Sequence, residues 1–260
     1  MDRYLRKERK VNAYLRNLSR IEFVVTLACT GRCKHCQNGD PVRSSEHIDA
    51  STAVEAIRKV CSQVRIKSVM TFGGEPLLYP DTVYAIHAAA EQLGIEKRQV
   101  ITNGYFSKQR ERIAEVAQKL KESGVNDLRL SVDAFHQETI PLEPVRFFAE
   151  CAVRAGLPIR LQPAWLVSRE DPNPYNVRTK EIMEAFEPLG LPPDTGDVIF
   201  PSGNALVYLR EYFDANVVEA SPYEEDPEDV RTLSFLPNGD VLNGNVYQTD
   251  ILEILRTYRP

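Results

Sequence analysis

Ile21-Glu-Phe-Val-Val-Thr26, followed closely by Cys29-Thr-Gly-Arg-Cys33-Lys-His-Cys36, decides how this chain is read. The first stretch is rich in β-branched and aromatic residues and reads as a buried strand. The second sets three cysteines within eight residues at CxxxCxxC spacing. Three thiolates are one short of what closes a cubane. A [4Fe–4S] cluster on four cysteines is coordinatively closed. On three, one iron stays open for another ligand, by the logic that separates open catalytic metal sites from closed structural ones. Gly31 lets the backbone bend tightly around a bulky inorganic core.

Outward from this loop the chain alternates strand and helix. The first strand is Ile21–Leu27, and a helix over Ala53–Val60 follows, capped by Asp49 or Ser51. Strands at Ile66–Phe72, Gln99–Thr102, Asp127–Val132, Ile159–Val167 and Val198–Phe200 come next. Between them stand a helix opened by Pro80-Asp81 and further helices near Gln109–Ser123, Pro144–Ala155 and Asn176–Leu189. Six units in strict alternation predict a parallel sheet. Right-handed crossovers curl such a sheet one way, and six units fall short of a closed eight-stranded barrel. Four polar or glycine-rich stretches fall at the carboxyl ends of these strands: Cys29–Cys36, Gly73-Gly74-Glu75-Pro76, Asn103-Gly104 and Ser131-Val-Asp133. Ligands of parallel α/β sheets bind at that end.

The order and wording of these stretches resemble the radical S-adenosylmethionine (SAM) superfamily. CxxxCxxC with an aromatic, His35, before the last cysteine is similar to its cluster motif. Val69-Met-Thr-Phe-Gly-Gly-Glu-Pro76 resembles its GGEP, Val100-Ile-Thr-Asn-Gly104 its TNG, and Leu130-Ser-Val-Asp-Ala134 its SxDG, with Ala in place of Gly. The resemblance covers Ile21 to Asp133, with recognisable units to Gly203. It implies an open partial (β/α)6 TIM-like barrel over 21–218.

Residue by residue, the resemblance implies a division of labour. Cys29, Cys33 and Cys36 would ligate three irons of a [4Fe–4S] cluster, and the open iron would chelate the amino and carboxylate groups of SAM. His35 would lie near the adenine. Gly73 and Gly74 would let the backbone approach the methionyl amine, and Glu75 of the Glu75-Pro76 pair would accept from it. Ser131 would donate to the SAM carboxylate or ribose, with Asn103 and Asp133 making polar contacts in the same pocket. Arg146 or Arg160 would meet the carboxylate, and Gly203-Asn204-Ala205 stands where a "GRA" adenine-contact segment is common. His136 at the mouth is placed for acid–base work, or is a loop histidine in solvent. The chemistry implied is reductive cleavage of SAM to a 5′-deoxyadenosyl radical that abstracts hydrogen from a small-molecule or peptide substrate, with electrons from a donor such as flavodoxin or ferredoxin. A glycyl-radical-enzyme activase and a non-catalytic cluster/SAM sensor are the competing functions.

Other readings of the cysteines are weaker. Zinc with His35 as fourth ligand would strain a tetrahedral site, because structural zinc sites usually pair two knuckles. Disulfides fit poorly: the cysteines number five, and Met1-Asp-Arg-Tyr-Leu-Arg-Lys7 is too charged for a signal peptide. A reducing cytoplasm is expected. Cys61 and Cys151 fall in predicted helices and read as packing thiols; His47 and His87 read as surface or packing residues. Trp165 lines the substrate cavity or belongs to the core. Net charge of −5 offers no electrostatic argument for nucleic acid, and no apolar run is long enough to span a bilayer.

The two ends differ from the middle. Residues 1–20 are basic with a partial apolar stripe, and read as a helix covering one end of the barrel. Residues 219–229 read as an acidic linker. Thr232–Leu242 then reads as a β-hairpin about Asn238-Gly239, with a helix over Asp250–Tyr258. This tail resembles the start of a SPASM/twitch-type C-terminal domain, but Asn243 stands where a cysteine is typical and no cysteine follows Cys151. A single cluster is expected.

Overall fold

The computed structural model describes residues 12–42, 44–192, 195–214 and 224–260. Strands β1 (Arg20–Val24), β2 (Ser68–Phe72), β3 (Lys97–Thr102), β4 (Asp127–Ser131) and β5 (Ile159–Gln162) follow one another in the chain and pair side by side, all parallel. Beyond β5 come the short pieces β6 (Ala164–Trp165) and β7 (Asp197–Val198), then β8 (Thr232–Phe235). The main sheet has six strands in the order β5-β4-β3-β2-β1-β8 and is open at β5 and β8. It is the parallel partial TIM-like barrel of the sequence reading.

One strand of that reading changes place. Val198 was the expected sixth strand, but it pairs with Trp165 in a separate two-stranded sheet. Pro163 has no N–H to continue β5, and Pro201 leaves little room beyond β7. The sixth position is taken from the tail: Thr232–Phe235 pairs with Arg20–Phe23 on the far edge. Its Leu233 and Phe235 are fully buried, and the Phe235 ring stacks on Phe23 at 4.8 Å. Such burial contributes about 1.5–3 kcal/mol for each large apolar side chain.

The expected hairpin is therefore divided. Leu236 N–H donates to the Asp240 carbonyl across Asn238-Gly239 at 2.9 Å, and Gly239 takes φ +87°. The antiparallel pair is instead β9 (Asp240–Val241) with β10 (Gly244–Asn245).

The helices are α1 (Ala50–Cys61), α2 (Pro80–Gln92), α3 (Arg110–Glu122), the short α4 (Ala134–Gln137), α5 (Leu142–Arg154), α6 (Pro174–Glu184), α7 (Asn204–Tyr208) and α8 (Ile251–Thr257). Asp49 caps α1 by accepting from Thr52 N–H at 2.8 Å, and Pro80 starts α2, as side-chain caps and N-terminal prolines do. Alternate strand residues such as Ile21, Phe23, Val69, Val100, Leu128 and Leu161 join helix residues in one core. The other alternation, from Arg20, Glu22 and Val24 through Arg129 and Ser131 to Arg160 and Gln162, points to the opposite, inner face. Of the basic N-terminal stretch, residues 1–11 lie outside the described residues; Ala13–Leu15 is a 3₁₀ turn capped by Asn12. Of the acidic stretch, 219–223 likewise lie outside. No helix among the described residues is long and apolar enough to cross a membrane.

Candidate functional site

The segment from Thr26 to Asp40 leaves β1 with almost no regular structure, so its shape depends on what grips it. Gly74 N–H donates to the Thr26 carbonyl at 2.7 Å and Glu75 N–H to the Ala28 carbonyl at 2.8 Å. A Cβ on Gly73 or Gly74 would collide with those same carbonyls, and Gly73 has φ +143°. The paired glycines thus let β2 approach the backbone of the cysteine loop. From β3, Asn103 Nδ2 reaches Thr30 Oγ1 at 3.2 Å and Cys29 Sγ at 3.5 Å. Thr139, after α4, accepts from Arg32 N–H at 3.0 Å. At the far end of the loop, Asn204 N–H donates to the Cys36 carbonyl at 2.9 Å, and its Nδ2 to the Cys33 carbonyl at 3.3 Å. Gly203, at φ +49°, leaves no space for a Cβ against Cys36 and Gln37.

The three thiols are Cys33, buried, with Cys29 and Cys36 half-buried. Burial pushes the Cys29 thiol up to about 11, with the nearby Glu75 carboxyl adding to it. Cys33 and Cys36 are also raised, again mainly by burial. Cys29 and Cys33 are each close enough to another of the three to disfavour their charge. Such thiols ionise when a cation takes the proton's place. Among the described residues, the potential ligand atoms that fall together within 4.8 Å belong to Cys33, His35 and His136, not to the three cysteines. Thiolates at about 2.3 Å from one zinc would have to crowd closer than that. Three convergent but more widely spaced sulfurs, wrapped by backbone amides, suit a larger polynuclear core.

Glu75 is fully buried. Its Oε1 accepts from Leu77 N–H at 2.9 Å and Thr102 Oγ1 at 2.7 Å, and its Oε2 from Asn103 N–H at 2.8 Å. Burial pushes its carboxyl up to about 7 against those hydrogen bonds. It ties the end of β2 to the end of β3, while Pro76 opens a 3₁₀ turn behind it.

Asp133 is also fully buried. It caps α4 through His136 N–H at 2.9 Å. Its other oxygen accepts from Ala164 N–H at 3.0 Å and faces His136 Nδ1 at 2.8 Å. The His136 side chain and that contact hold the Asp133 carboxyl down at about 2 despite burial. Asp133 therefore orients His136, placing the proton on Nδ1 when the ring is neutral. The His35 ring lies 4.9 Å from His136 and 5.1 Å from Phe135, and burial holds it down at about 4.

The remaining candidates scatter. Ser131 ends β4 on the inner face, half-buried, in register with Gln162. Arg160 sits lower on that face and donates to Asp127 Oδ1 at 2.5 Å, at the opposite end of β4 from Ser131. Arg146 lies on α5 beside Glu150. Trp165 is buried, donating to the Thr195 carbonyl at 2.9 Å. His87 is buried against Thr71, and His47 stacks on Tyr79 at 3.9 Å. Thr139 had no signal in the sequence: a lone threonine after a four-residue helix looks like any loop residue.

Residues 23–149 match the sequence model of the Radical SAM superfamily. They form a radical SAM domain. Members of that superfamily bind a [4Fe–4S] cluster and SAM. Among curated proteins, the GTP 3′,8-cyclase of Desulforamulus reducens is 28% identical over 131 residues, 50% of this chain and 38% of that protein. The GTP 3′,8-cyclase of Limosilactobacillus fermentum is 30% identical over 120 residues, 45% of this chain and 34% of that one. The chain thus spans about a third to a half of the length of the curated relatives it matches. Among solved structures, anSMEcpe with bound AdoMet superposes with a TM-score of 0.60 at 12% identity, covering 93% of this chain and 81% of that one. Streptococcus suis SuiB bound to S-adenosylmethionine gives 0.54 at 16% identity, covering 94% and 66%. At these identities the superpositions speak for the fold.

Proposed function

We propose that the chain is a radical SAM enzyme acting on an organic substrate, with Cys29, Cys33 and Cys36 holding a [4Fe–4S] cluster at the carboxyl rim of the sheet. The observation that carries this is the loop's anchoring: β2, β3, the turn after α4 and the start of α7 all send hydrogen-bonding groups to the backbone or side chains between Thr26 and Cys36. Such convergence fixes three sulfurs in space, as a preorganised site requires. When bound, the cluster and SAM supply one-electron cleavage of the sulfonium to methionine and a 5′-deoxyadenosyl radical that takes a hydrogen atom from substrate.

The chain's own residues do the rest. Gly73, Gly74 and Asn103 hold the loop, and Glu75 braces the two strand ends beneath it. Ser131, on the inner face at the end of β4, is the hydroxyl assigned to SAM. His136, held by Asp133 at Nδ1, presents Nε2 as the site's acid–base group. His35, kept neutral by burial, packs beside it. Arg160, ion-paired near the amino end of β4, is not assigned to the SAM carboxylate. The substrate is a small molecule or a peptide, and the reductant is a low-potential donor protein such as flavodoxin or ferredoxin.

Anaerobic reconstitution followed by reductant and SAM tests the reading, with Cys33→Ala as control. Wild type is expected to bind about four irons per chain and release 5′-deoxyadenosine, and the variant to do neither. Wild type with its iron complement but no 5′-deoxyadenosine, with or without GTP or peptide present, would sink the enzymatic reading.

A further inference from the structure

Among the described residues, one ligand atom each from Cys33, His35 and His136 lies within 4.8 Å of the other two. Sequence spacing set His35 beside three cysteines; the fold instead brings His136 to it from α4, just past β4. Cys33 is buried and both histidines are half-buried. The His35 ring stands edge-on to His136 at 4.9 Å and packs beside Phe135 at 5.1 Å. Its Nδ1 is buried and makes no hydrogen bond. A buried polar atom left without a partner costs free energy, and each such atom calls for an explanation.

The three groups are held from behind. Asp133, fully buried, accepts from His136 N–H at 2.9 Å and Ala164 N–H at 3.0 Å, and its Oδ2 faces His136 Nδ1 at 2.8 Å. Nε2 is then the His136 nitrogen with a lone pair to offer. A carboxylate behind an imidazole is the arrangement that orients metal-binding histidines and raises their basicity. On the loop, Cys36 N–H closes a turn onto the Cys33 carbonyl at 3.1 Å, and Asn204 Nδ2 reaches the same carbonyl at 3.3 Å. One thiolate and two imidazoles form a borderline-soft donor set that suits Zn²⁺. Bonds of about 2.3 Å to sulfur and 2.0–2.1 Å to nitrogen put tetrahedral ligand atoms about 3.3–3.6 Å apart. The three atoms here need to close by at most about 1.5 Å to meet that geometry.

We propose that the chain without its cluster binds one Zn²⁺ through Cys33, His35 and His136, with water in the fourth position and Asp133 as the positioning residue behind His136. The Cys33 thiol gives up its proton to solvent on binding. The site stands on its own geometry, but it shares Cys33 with the ligands assigned to the [4Fe–4S] cluster, so the two metal states exclude each other. Zinc binds a given set of nitrogen and sulfur donors more tightly than ferrous iron does. Zinc therefore holds the chain in a state that cannot assemble the cluster. The metal offered to the newly folded chain decides which state forms. With the cluster in place, His35 and His136 serve the SAM site instead.

The test starts from the metal-free, reduced full chain, kept without oxygen. Co²⁺ is the spectroscopic probe and Zn²⁺ its competitor. One Co²⁺ per chain is expected, with the absorption of a tetrahedral thiolate site, and one Zn²⁺ should displace it. His136→Gln should weaken binding at least about tenfold, since loss of even an outer-shell partner costs about 10–100-fold. Cys29→Ala/Cys36→Ala should bind Co²⁺ as the wild type does, because neither thiol is a ligand. X-ray absorption of the zinc-loaded wild type should show one sulfur and two imidazoles, and it depends on no variant folding. No stoichiometric binding, binding unchanged in folded His136→Gln, or a zinc shell of two or three sulfurs overturns the proposal. Iron incorporation is then measured with and without prior zinc, and zinc should lower it severalfold. Equal incorporation while zinc stays bound overturns the exclusion and with it the proposal. A chain that binds zinc through these residues yet never takes up iron counts against the radical SAM reading and for this site. Iron uptake without zinc binding counts against this site alone.

Discussion

The cysteine loop and the tail both attach to strand β1, yet they are held by opposite means. Between Thr26 and Asp40 there is almost no regular structure, and the loop is fixed by single hydrogen bonds arriving from several strand ends. The tail from Thr232 to Thr257 is built of strands and a helix, fixed by a sheet edge and by apolar packing. A loop gripped at many points can place three sulfurs while leaving a face open above them. A strand laid along β1 closes an edge and supplies stability. The difference predicts that damage to the two regions separates: tail changes lower stability and spare metal binding, loop changes do the reverse.

Phe235→Ala should give the largest effect on stability. Phe235 is fully buried and stacked on Phe23, so truncation should cost about 3–5 kcal/mol. Urea denaturation measures the loss, and iron per folded chain should stay at the wild-type value. Loss of iron in the folded fraction would mean that β8 shapes the loop and that the two regions are one.

Acid acts on the core that both regions share. His87 is buried beneath β2, with Nε2 2.9 Å from Thr71 Oγ1. Burial, with Arg98 nearby, lowers it from 6.5 to about 3. It stays neutral in the folded chain while the unfolded chain takes up a proton below 6.5. The His87 contribution to stability should therefore fall as pH drops from about 6.5 toward 3, by at most about 1.4 kcal/mol per unit. His87→Gln should flatten that slope in denaturation curves at pH 7 and 4.5; an unchanged slope would locate the acid sensitivity elsewhere.

Gly74→Ala is the converse of Phe235→Ala. A methyl group there meets the carbonyls of Leu27 and Ala28, which cannot move aside as a flexible side chain would. The expected cost in stability is about 1–3 kcal/mol, smaller than for Phe235, but iron per folded chain should drop severalfold. Full iron loading would show that the grip of β2 is dispensable. Gly239→Ala, at φ +87° beside the Tyr247 ring in the tail, should instead leave iron loading intact.

The same contrast explains what could be read in advance. Cys29–Cys36, Gly73–Pro76 and Asn103 are local words, each set by the chemistry of a few adjacent residues, and their strands were legible from alternation. The parallel sheet follows from that alternation. The sixth strand did not, because Thr232–Phe235 and Val198–Phe200 look equally strand-like alone. Which one pairs depends on Pro163 and Pro201 breaking one edge and on Leu233 and Phe235 facing the core at the other. Residue roles were hidden for a similar reason. Gly73 and Gly74 announce a close approach, but not that the approaching surface is the backbone at Thr26–Ala28. Arg160 reads as a cation on strand five, and only the register shows it beside Arg129 and above Asp127.

A contact between the tail and the start of α1, the helix that follows the cysteine loop, should give the smallest effect. Tyr247 of the tail accepts at its hydroxyl from Asp49 N–H at 2.9 Å, where the chain from the cysteine loop enters α1. Asp49 is also the cap of α1, through Thr52 N–H. Tyr247→Phe removes the acceptor but leaves the ring and the cap. Asp49 N–H is at the surface and can turn to water, so the cost should be about 0.5–1 kcal/mol. Asp49→Ala removes the cap instead and should cost about 1 kcal/mol. If the contact merely rests against a helix held by its own cap, the two costs should add in the double variant. A double variant losing markedly more or less than the sum would reveal coupling between tail and loop through residue 49, and the independence argued from their different anchoring would fail at that point.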